Sequence, residues 1–288
     1  MEAARLIDTW HLGLDRVIGV WERDGILVDP GPSSTIDRVL AELSGGRPRA
    51  LLLTHIHLDH AGATGALVER FPDLPVYVHE AGAPHLADPA RLLRSAARLY
   101  GERMDELWGP VLAVPERNLI ALSGGEVAEG LEVLATPGHA SHHVVYVDSA
   151  AGDAYVGDVG GVRIPPGDTV WLPTPPPDID LESWRVSADR ILEWQPSTLF
   201  LTHFGPVTRV RPHLAELFDN LALNAAAVRE SLNDSGTDEE KSERFAEWLR
   251  QGLRKKMTDA EVDAYVVAAG FKYQWFGLAR YWRKRLGM

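Results

Sequence analysis

The chain has 288 residues, 45% of them hydrophobic, so it can bury one substantial core and requires no disordered segment. Its formal net charge of −12 opposes nonspecific binding to nucleic acid, which weighs against a nuclease. It has no cysteine, which excludes disulfides and thiolate metal ligands, and neither a secretory signal nor a membrane span is predicted, so we expect a cytoplasmic protein.

The first predicted elements are a β-hairpin and a helix. Residues 17–22 and 25–29 are short apolar runs bounded by turn residues, a pattern typical of two paired strands. A proline–glycine turn follows and leads into a helix predicted over residues 35–43. Ser33 or Ser34 is the expected N-terminal cap of this helix, because a serine hydroxyl can accept a hydrogen bond from a free backbone amide of the first turn.

The most informative segment follows the apolar run 50–53 and reads Thr54-His55-Ile56-His57-Leu58-Asp59-His60. In extended backbone, alternate side chains point the same way, so His55 and His57 can reach one ion together. The chain then turns into a helix predicted over residues 61–68, which directs Asp59 and His60 toward a neighbouring ion. Since buried imidazoles and carboxylates are costly unless they are paired or bound to metal, the segment predicts two metal ions side by side.

Three later strand-like runs each end at one more candidate ligand. They deliver His139 after residues 131–138, Asp158 after residues 154–157 and His203 after residues 198–202. Pro137-Gly138 and the glycines after Asp158 are turn residues, and they allow backbone to pass close to a site. All three candidates follow the histidine-rich segment in the sequence. Their occurrence together favours each of the three side chains as a metal ligand.

The remaining predicted elements surround this site. Helical spacing predicts two or three helices over residues 80–108, lying over one sheet and walling the site, and another helix over residues 183–194. The proline-rich segment 164–177, which contains Trp171, is expected to form a stiff wall near the metals. These walls are where substrate preference should be determined.

The tail from about residue 211 is predicted to be helical throughout. It contains two capping boxes and a glycine helix stop, which are Thr237 with Glu240, Thr258 with Glu261, and Gly270. Its aromatic residues are Trp275, Phe276, Tyr281 and Trp282. We interpret these aromatics as docking the tail on the rest of the chain; a pocket lining and a homodimer contact are the alternatives.

The other histidines receive weaker interpretations. His142 is a candidate for orienting a metal ligand through a hydrogen bond. His11 is interpreted as a packed or partly exposed residue of the N-terminal strand region. His79, His85 and His213 have no partner motif and are interpreted as surface or helix-cap residues.

The combined motifs resemble the metallo-β-lactamase superfamily in order and approximate spacing, over roughly residues 5–210. They are Thr54–His60, Thr136-Pro137-Gly138-His139, Val156-Gly157-Asp158 and Thr202-His203-Phe204-Gly205-Pro206. The resemblance implies an α/β fold, the αββα sandwich, with a dinuclear site at the edge between two β-sheets. We therefore expect a catalytic domain over residues 1–210 and a helical C-terminal extension over residues 211–288 packed on it.

The resemblance also implies a ligand set and a subgroup. It assigns His55, His57 and His139 to the first metal, Asp59, His60 and His203 to the second, and Asp158 to both as a bridge. Members similar to true β-lactamases have no carboxylate at the bridging position, so an antibiotic-cleaving enzyme is not expected. The subgroup that shares Asp158 and His60 contains glyoxalase II-like thioesterases, lactonases and phosphodiesterases.

The expected activity follows from such a site. Two divalent ions about 3.5–4 Å apart share a water, lower its pKa toward neutrality and present hydroxide to an electrophile. Asp59 has a second expected role as the catalytic group that passes a proton to the leaving group. Zinc is the expected metal, and iron and manganese accept the same ligands. We expect hydrolysis of a small ester, lactone or thioester, with a phosphodiesterase and an iron-dependent redox enzyme as alternatives, and neither nucleic acid nor a membrane as partner.

Overall fold

Two six-stranded β-sheets lie face to face at the centre of the protein. The computed structural model describes residues 4–288. Residues 1–3 lie outside the described residues. They belong to the predicted domain 1–210 and to the amino terminus in which no secretory signal is predicted.

The first sheet contains the hairpin predicted near the amino terminus. Its strands, in sheet order, are β1 Arg5–Asp8, β2 Gly19–Arg23, β3 Ile26–Val28, β4 Ala50–Leu52, β5 Val76–His79 and β6 Leu119–Leu122. β1, β2 and β3 pair antiparallel, whereas β3 to β6 are parallel neighbours. Because neighbouring parallel strands end at the same edge, the segment after β4 emerges at one rim of the sheet.

The second sheet supplies the other strand ends. Its strands are β7 Val127–Ala128, β8 Leu131–Ala135, β9 Val144–Asp148, β10 Asp153–Tyr155, β11 Thr198–Leu201 and β12 Gly205–Val207, and they lie in this sheet in sequence order. All pairs are antiparallel except β10 with β11. The strands predicted before His139, Asp158 and His203 are therefore present, although the strand before Asp158 ends at Tyr155 and is shorter than expected.

Helices cover the outer faces of both sheets. Their bounds are α1 Ile36–Glu42, α2 Leu58–Ala61, α3 Thr64–Arg70, α4 Ala83–Ala87, α5 Ala90–Tyr100, α6 Met104–Trp108, α7 Leu181–Trp194, α8 Val210–Ser231, α9 Asp238–Leu253, α10 Asp259–Ala269 and α11 Phe271–Leu286. The helices predicted over residues 80–108 are α4, α5 and α6. The helix predicted over residues 61–68 is divided between the short α2 and α3.

Alternation along single strands explains the layers. In β3, Leu27 packs with the helices over the first sheet, whereas Ile26 and Val28 point toward the second sheet. In β9, Val145 packs with α7 and the tail, while its neighbour Tyr146 points toward the first sheet. Successive strand residues face opposite sides, so each sheet buries one side against its partner and the other against helices. The predicted αββα order of layers is confirmed.

The C-terminal helices α8 to α11 pack on the outer side of the second sheet, in one apolar cluster with α7 and residues 159–172. Both predicted capping boxes and the stop at Gly270, which has φ 57°, are present. Helix α11 approaches the proline-rich segment closely, since a Cβ at Gly277 would lie 2.0 Å from the carbonyl oxygen of Thr174. The tail aromatics contribute to docking, as in the hydrogen bond from the Tyr281 hydroxyl to Glu182 of α7.

The predicted cap of the first helix is wrong. α1 begins after Thr35, and neither Ser33 nor Ser34 caps it. The Ser33 hydroxyl donates instead to the carbonyl of Gly62, and the Ser34 hydroxyl donates to that of Leu107. These serines tie the start of α1 to segments that are distant in sequence, and a local capping rule does not anticipate such contacts.

His213 is not a surface residue, contrary to our expectation. It lies on α8, is 4% exposed, and its Nε2 donates a hydrogen bond of 2.7 Å to the carbonyl oxygen of Gly160. Burial disfavours the charged imidazolium and lowers the pKa of His213 to about 4, although the hydrogen bond to Gly160 acts in the opposite direction.

This burial predicts a pH-dependent stability. The unfolded chain, where the pKa is about 6.5, takes up the proton first as the pH falls. The stability due to neutral His213 is therefore complete above about pH 6.5 and is lost as the pH falls toward 4. We expect His213→Gln, which cannot titrate, to lose about 2–3 kcal/mol less free energy of unfolding over this range than the wild type. Urea unfolding at pH 7 and pH 4.5 measures this difference, and equal losses in both proteins would contradict the prediction.

Candidate metal centre

Loops at one edge of the sandwich bring the predicted ligands together. His55 and His57 follow β4, and the short helix α2 carries Asp59 and His60. The remaining ligands come from the second sheet: His139 follows β8, Asp158 follows β10, and His203 lies between β11 and β12. These seven side chains form two groups that could each hold a metal ion, namely His55, His57, His139 and Asp158, and Asp59, His60 and His203.

Three imidazole nitrogens converge in the first group. His57 Nδ1 lies 2.9 Å from His55 Nε2 and 2.9 Å from His139 Nε2. One proton on His57 can satisfy only one of these two contacts by a hydrogen bond. Such a convergence of lone pairs is explained by a cation between them.

Asp158 faces both groups with different oxygens. Its Oδ2 lies 3.3 Å from His139 Nε2 and 3.9 Å from His55 Nε2, on the side of the first group. Its Oδ1 lies 3.2 Å from His60 Nε2 and 3.4 Å from His203 Nε2, on the side of the second group. The carboxylate therefore occupies the position from which it can contact an ion in each group.

A glycine permits this placement. Gly157 has φ 46°, and a Cβ there would lie 2.4 Å from Thr54 Oγ1. Only a residue without a side chain lets the loop after β10 approach the loop after β4 this closely. The approach sets Asp158, from the second sheet, against His55, from the first.

Hydrogen bonds away from the centre orient four of the rings. Nδ1 of His139 donates to the carbonyl of Pro173, and Nδ1 of His203 donates to that of Val17. His60 Nδ1 lies 2.8 Å from Asp29 and donates to its carboxylate. In the fourth ring, that of His55, Nδ1 lies 3.1 Å from Thr54 Oγ1, whose own proton goes to Asp29. In each of these rings the hydrogen bond at Nδ1 leaves Nε2 directed toward the centre, which is the orientation that a metal ligand requires.

Asp29 is the central acceptor of the hydrogen bonds that support the ligands, and the sequence analysis did not identify it. It is fully buried and accepts hydrogen bonds from the Thr54 amide, the Thr54 hydroxyl, His60 Nδ1 and the Thr202 hydroxyl, at 2.7–3.1 Å. It has φ 52°, in the left-handed region that aspartate tolerates better than most residues. Its position directly after β3 and before Pro30-Gly31 was the only local signal, because its partners are distant in sequence.

The residues at the centre fit divalent metal ions. His60 Nε2, His203 Nε2 and Asp158 Oδ1 are buried and have no hydrogen-bond partner among residues 4–288. The contacts between candidate ligand atoms, 2.9–3.9 Å, span the edge of roughly 3.4 Å expected around an ion with bonds of about 2.1 Å. Only nitrogen and oxygen donors are present, a set that suits zinc, manganese or iron.

Charge at the centre is balanced between the carboxylates and the imidazoles. Burial alone would raise the pKa of Asp59 and Asp158, but His60 and the neighbouring imidazoles outweigh burial and hold the pKa of both carboxyls well below its usual range. Burial lowers the pKa of His55 well below its usual value and that of His57 to about 4. At His60 and His203 burial also acts to lower the pKa, but Asp158 and Asp59 outweigh it and raise the pKa of both imidazoles, so a metal ion bound there would displace a proton.

A cavity of about 390 Å³ opens onto this centre. It is lined by His57, Asp59 and Asp158 at the metal centre, by α5 and α6 on one side, and by the junction of α10 and α11 on the other. Pro173 and residues 175–177 add the stiff wall that was predicted for the proline-rich segment. The volume is within the range of small-molecule sites.

Several sequence-based expectations about this region change. Trp171 does not line the cavity, since it is buried in the apolar cluster beside Phe271, at a ring distance of 5.7 Å. The wall predicted for the proline-rich segment therefore does not include Trp171. Nδ1 of His142 has no hydrogen-bond partner among the described residues, so the expected orienting hydrogen bond from this nitrogen is not observed. His11 is packed as expected, 2% exposed and stacked on Trp108.

Comparison with known proteins identifies the type of domain. The model of the family described as "Metallo-beta-lactamase superfamily" matches residues 20–203. A curated relative, the hydroxyacylglutathione hydrolase of Thermosynechococcus vestitus, is 32% identical over 135 residues, which are 46% of this chain and 42% of that protein. The chain thus spans less than half the length of the curated relatives that it matches.

Solved structures resemble the protein over nearly its whole length. An archaeal metallo-beta-lactamase superfamily protein from Sulfolobus tokodaii has a TM-score of 0.68 and 19% identity, covering 96% of this chain and 98% of that one. A metallo-beta-lactamase family protein from Thermus thermophilus has a TM-score of 0.66 and 22% identity, covering 98% and 93%. The similarity extends through the C-terminal helices and concerns the fold. Within residues 4–288, no helix is long and apolar enough to cross a membrane.

Proposed function

Because the chain belongs to the metallo-beta-lactamase superfamily, we propose that it is a dinuclear metal-dependent hydrolase of small esters, lactones or thioesters. The observation that carries the proposal is the position of Asp158, whose two oxygens face two separate groups of ligands. The relatives named hydroxyacylglutathione hydrolase support thioester hydrolysis as one of the candidate activities.

In this proposal the seven residues have the roles that the sequence predicts. His55, His57 and His139 would hold one ion, Asp59, His60 and His203 would hold the other, and Asp158 would be shared by both. Two divalent ions, taken to be zinc, would supply a hydroxide nucleophile at neutral pH and stabilise the developing oxyanion. The protein fixes the ligands through the Nδ1 hydrogen bonds, and the cavity gives a small substrate access to them.

Asp59 is the proposed proton carrier of the site. It is partly exposed, with 22% of its side chain accessible, and it lines the cavity, whereas Asp158 is almost fully buried. Its neighbours lower its pKa and keep it ionised, so it would hold a proton only transiently and pass it on to a more basic leaving group.

The walls beside the centre favour an acyl substrate over a phosphodiester. Ile56 and Leu58 flank His57 and are buried, and Leu107 and Trp108 add further apolar surface to the cavity. A phosphodiester would place its negative charge at the metals and would benefit from cationic side chains there. The cations that line the cavity are instead exposed or half-buried.

Metal content and a substrate screen test this proposal. We expect about two zinc or manganese ions per chain by elemental analysis of protein purified without added metal. We also expect hydrolysis of at least one aryl ester, lactone or thioester, and loss of that activity after chelation. Phosphodiesters in the same screen test the alternative. Bound iron with a visible absorption band would favour redox chemistry, and protein that neither contains nor takes up metal would overturn the proposal.

The domain boundary and the cellular location remain parts of the proposal. We propose that residues 211–288 act as an extension of the catalytic unit, because α10 and α11 supply part of the cavity wall. Cell fractionation tests the expected cytoplasmic location, and light scattering tests the homodimer alternative.

A further inference from the structure

The cavity changes character between the metal centre and the solvent. Its inner part is apolar and aromatic: Trp108 makes an edge contact with Tyr100 at 5.1 Å, and Tyr100 makes another with Tyr273 of the tail at 4.9 Å. Leu92 and Leu99 of α5 extend the same wall. A substrate whose reacting carbonyl lies at the metals therefore has several ångströms of apolar surface beside one of its arms.

The outer part of the same cavity is cationic. Its basic lining residues are Arg91, Arg103, Arg250 and Lys272. Among residues 4–288, Asp59 and Asp158 are the only acidic residues of the lining, and both belong to the metal centre. This concentration of positive charge occurs in a chain with a formal net charge of −12, so it does not reflect the average surface.

Two of these cations are already paired and two retain most of their binding capacity. Arg103 Nε donates to Glu106 at 2.9 Å, and Lys272 lies 3.0 Å from Glu243. In contrast, Arg91 forms no ion pair with the described residues, and the contact of Arg250 with Glu247 is 4.0 Å long. Arg91 lies on α5 and Arg250 on α9, so one comes from each side of the cavity.

We propose that the substrate carries an apolar segment next to the reacting carbonyl and, at the far end of one of its arms, a negatively charged group that Arg91 and Arg250 bind. This inference rests on the proposed function and narrows its substrate class to amphipathic anionic acyl compounds. Carboxylate and phosphate present the same oxygen acceptors to a guanidinium, so either group satisfies the site. A neutral ester of the same length would use the apolar wall but leave both arginines without a partner.

Two matched pairs of thioesters test the proposal and locate the charge. In the first pair the anion is on the acyl arm: the N-acetylcysteamine thioester of octanedioic acid is compared with that of octanoic acid. In the second pair it is on the leaving-group arm: octanoyl 4′-phosphopantetheine is compared with octanoyl pantetheine. Within each pair the reacting bond and the apolar chain are the same, so only the terminal charge differs.

The variants are Arg91→Gln, Arg250→Gln and the double variant. Arg94→Gln is the matched control, since Arg94 is exposed on the same helix, forms no ion pair with the described residues and does not line the cavity. The three substitutions affect exposed or half-buried side chains and should leave the fold intact. The metal centre is untouched.

We expect the wild type to prefer the anionic member of at least one pair. For that pair, each single variant should lower the ratio of anionic to neutral kcat/KM by about three- to tenfold, mainly through KM. Arg94→Gln should leave the ratio unchanged, and the wild-type preference should weaken as salt is added. A preference for the neutral member in both pairs, or a ratio that neither arginine affects, would overturn the proposal.

Binding measurements separate this inference from the proposed function. The same compounds made as amides resist hydrolysis, and their Kd can be measured by quenching of tryptophan fluorescence in wild type and variants. If the thioesters are not cleaved but the anionic amide binds more tightly and depends on Arg91, the binding inference stands and the hydrolase proposal fails. If the thioesters are cleaved but the charge changes neither Kd nor KM, the binding inference fails alone.

Discussion

Asp158→Ala is expected to abolish turnover of every ester, lactone or thioester that the wild type cleaves and to remove most of the bound metal. The carboxylate lies 3.2–3.9 Å from the Nε2 atoms of His60, His139, His203 and His55. Its loss removes the one anion that both ligand groups share. Elemental analysis and turnover with saturating added metal measure the two effects. Unchanged turnover would contradict the assignment of Asp158 as the bridging ligand.

His139 and His142 provide the internal control for this experiment. His139→Ala should lose metal, because its Nε2 faces both His57 and Asp158 while its Nδ1 is held by Pro173. His142→Ala should retain metal, because His142 is not part of either ligand group. Equal loss of metal in the two variants would show that the choice of ligand between them is wrong.

Asp29→Ala is expected to lower the free energy of unfolding of the metal-free protein by about 3–5 kcal/mol. The change removes a buried carboxylate and leaves donors of Thr54, His60 and Thr202 without an acceptor. Urea unfolding in the presence of a chelator measures the effect separately from metal binding. A loss below about 1 kcal/mol would contradict the role assigned to Asp29.

Asp29→Asn is the graded control for that prediction. Asparagine keeps the size and tolerates the positive φ, but one of its two polar atoms is a donor. The amide NH₂ group must then face at least one of the groups that donate a hydrogen bond to the carboxylate in the wild type. We therefore expect an intermediate loss of stability. A variant as unstable as Asp29→Ala would indicate that the charge, rather than the set of hydrogen bonds, is the main contribution.

The sequence predicted the strand ends and the cluster of candidate ligands because the signals for both are local; the order of the layers was implied by the family resemblance. Every segment that carries proposed ligands follows an apolar strand, and the cluster His55–His60 lies within one short segment. The capping boxes at Thr237 and Thr258 are also local patterns, and both are present. The family match over residues 20–203 agrees with the resemblance that these motifs carried.

The sequence missed features that depend on contacts between distant segments. Asp29 binds Thr54, His60 and Thr202, which are 25, 31 and 173 residues away. Trp171 was expected near the substrate, but the docking of the tail buries it against Phe271. Periodicity could indicate that α5 has an apolar and a basic side, but it could not show that Arg91 shares a cavity with Arg250 of α9.

The close approach of α11 to the proline-rich segment means that the support of the metal centre is synthesised after the ligands themselves. At Gly277 the helix touches Thr174, whose neighbour Pro173 holds Nδ1 of His139. During synthesis on the ribosome, all proposed ligands are made once His203 has been added, but the helix that supports this loop is made later. A nascent chain can therefore expose a complete set of ligands before the loop behind His139 is supported, and premature release or truncation before Gly277 would yield a protein that captures metal in a poorly fixed site.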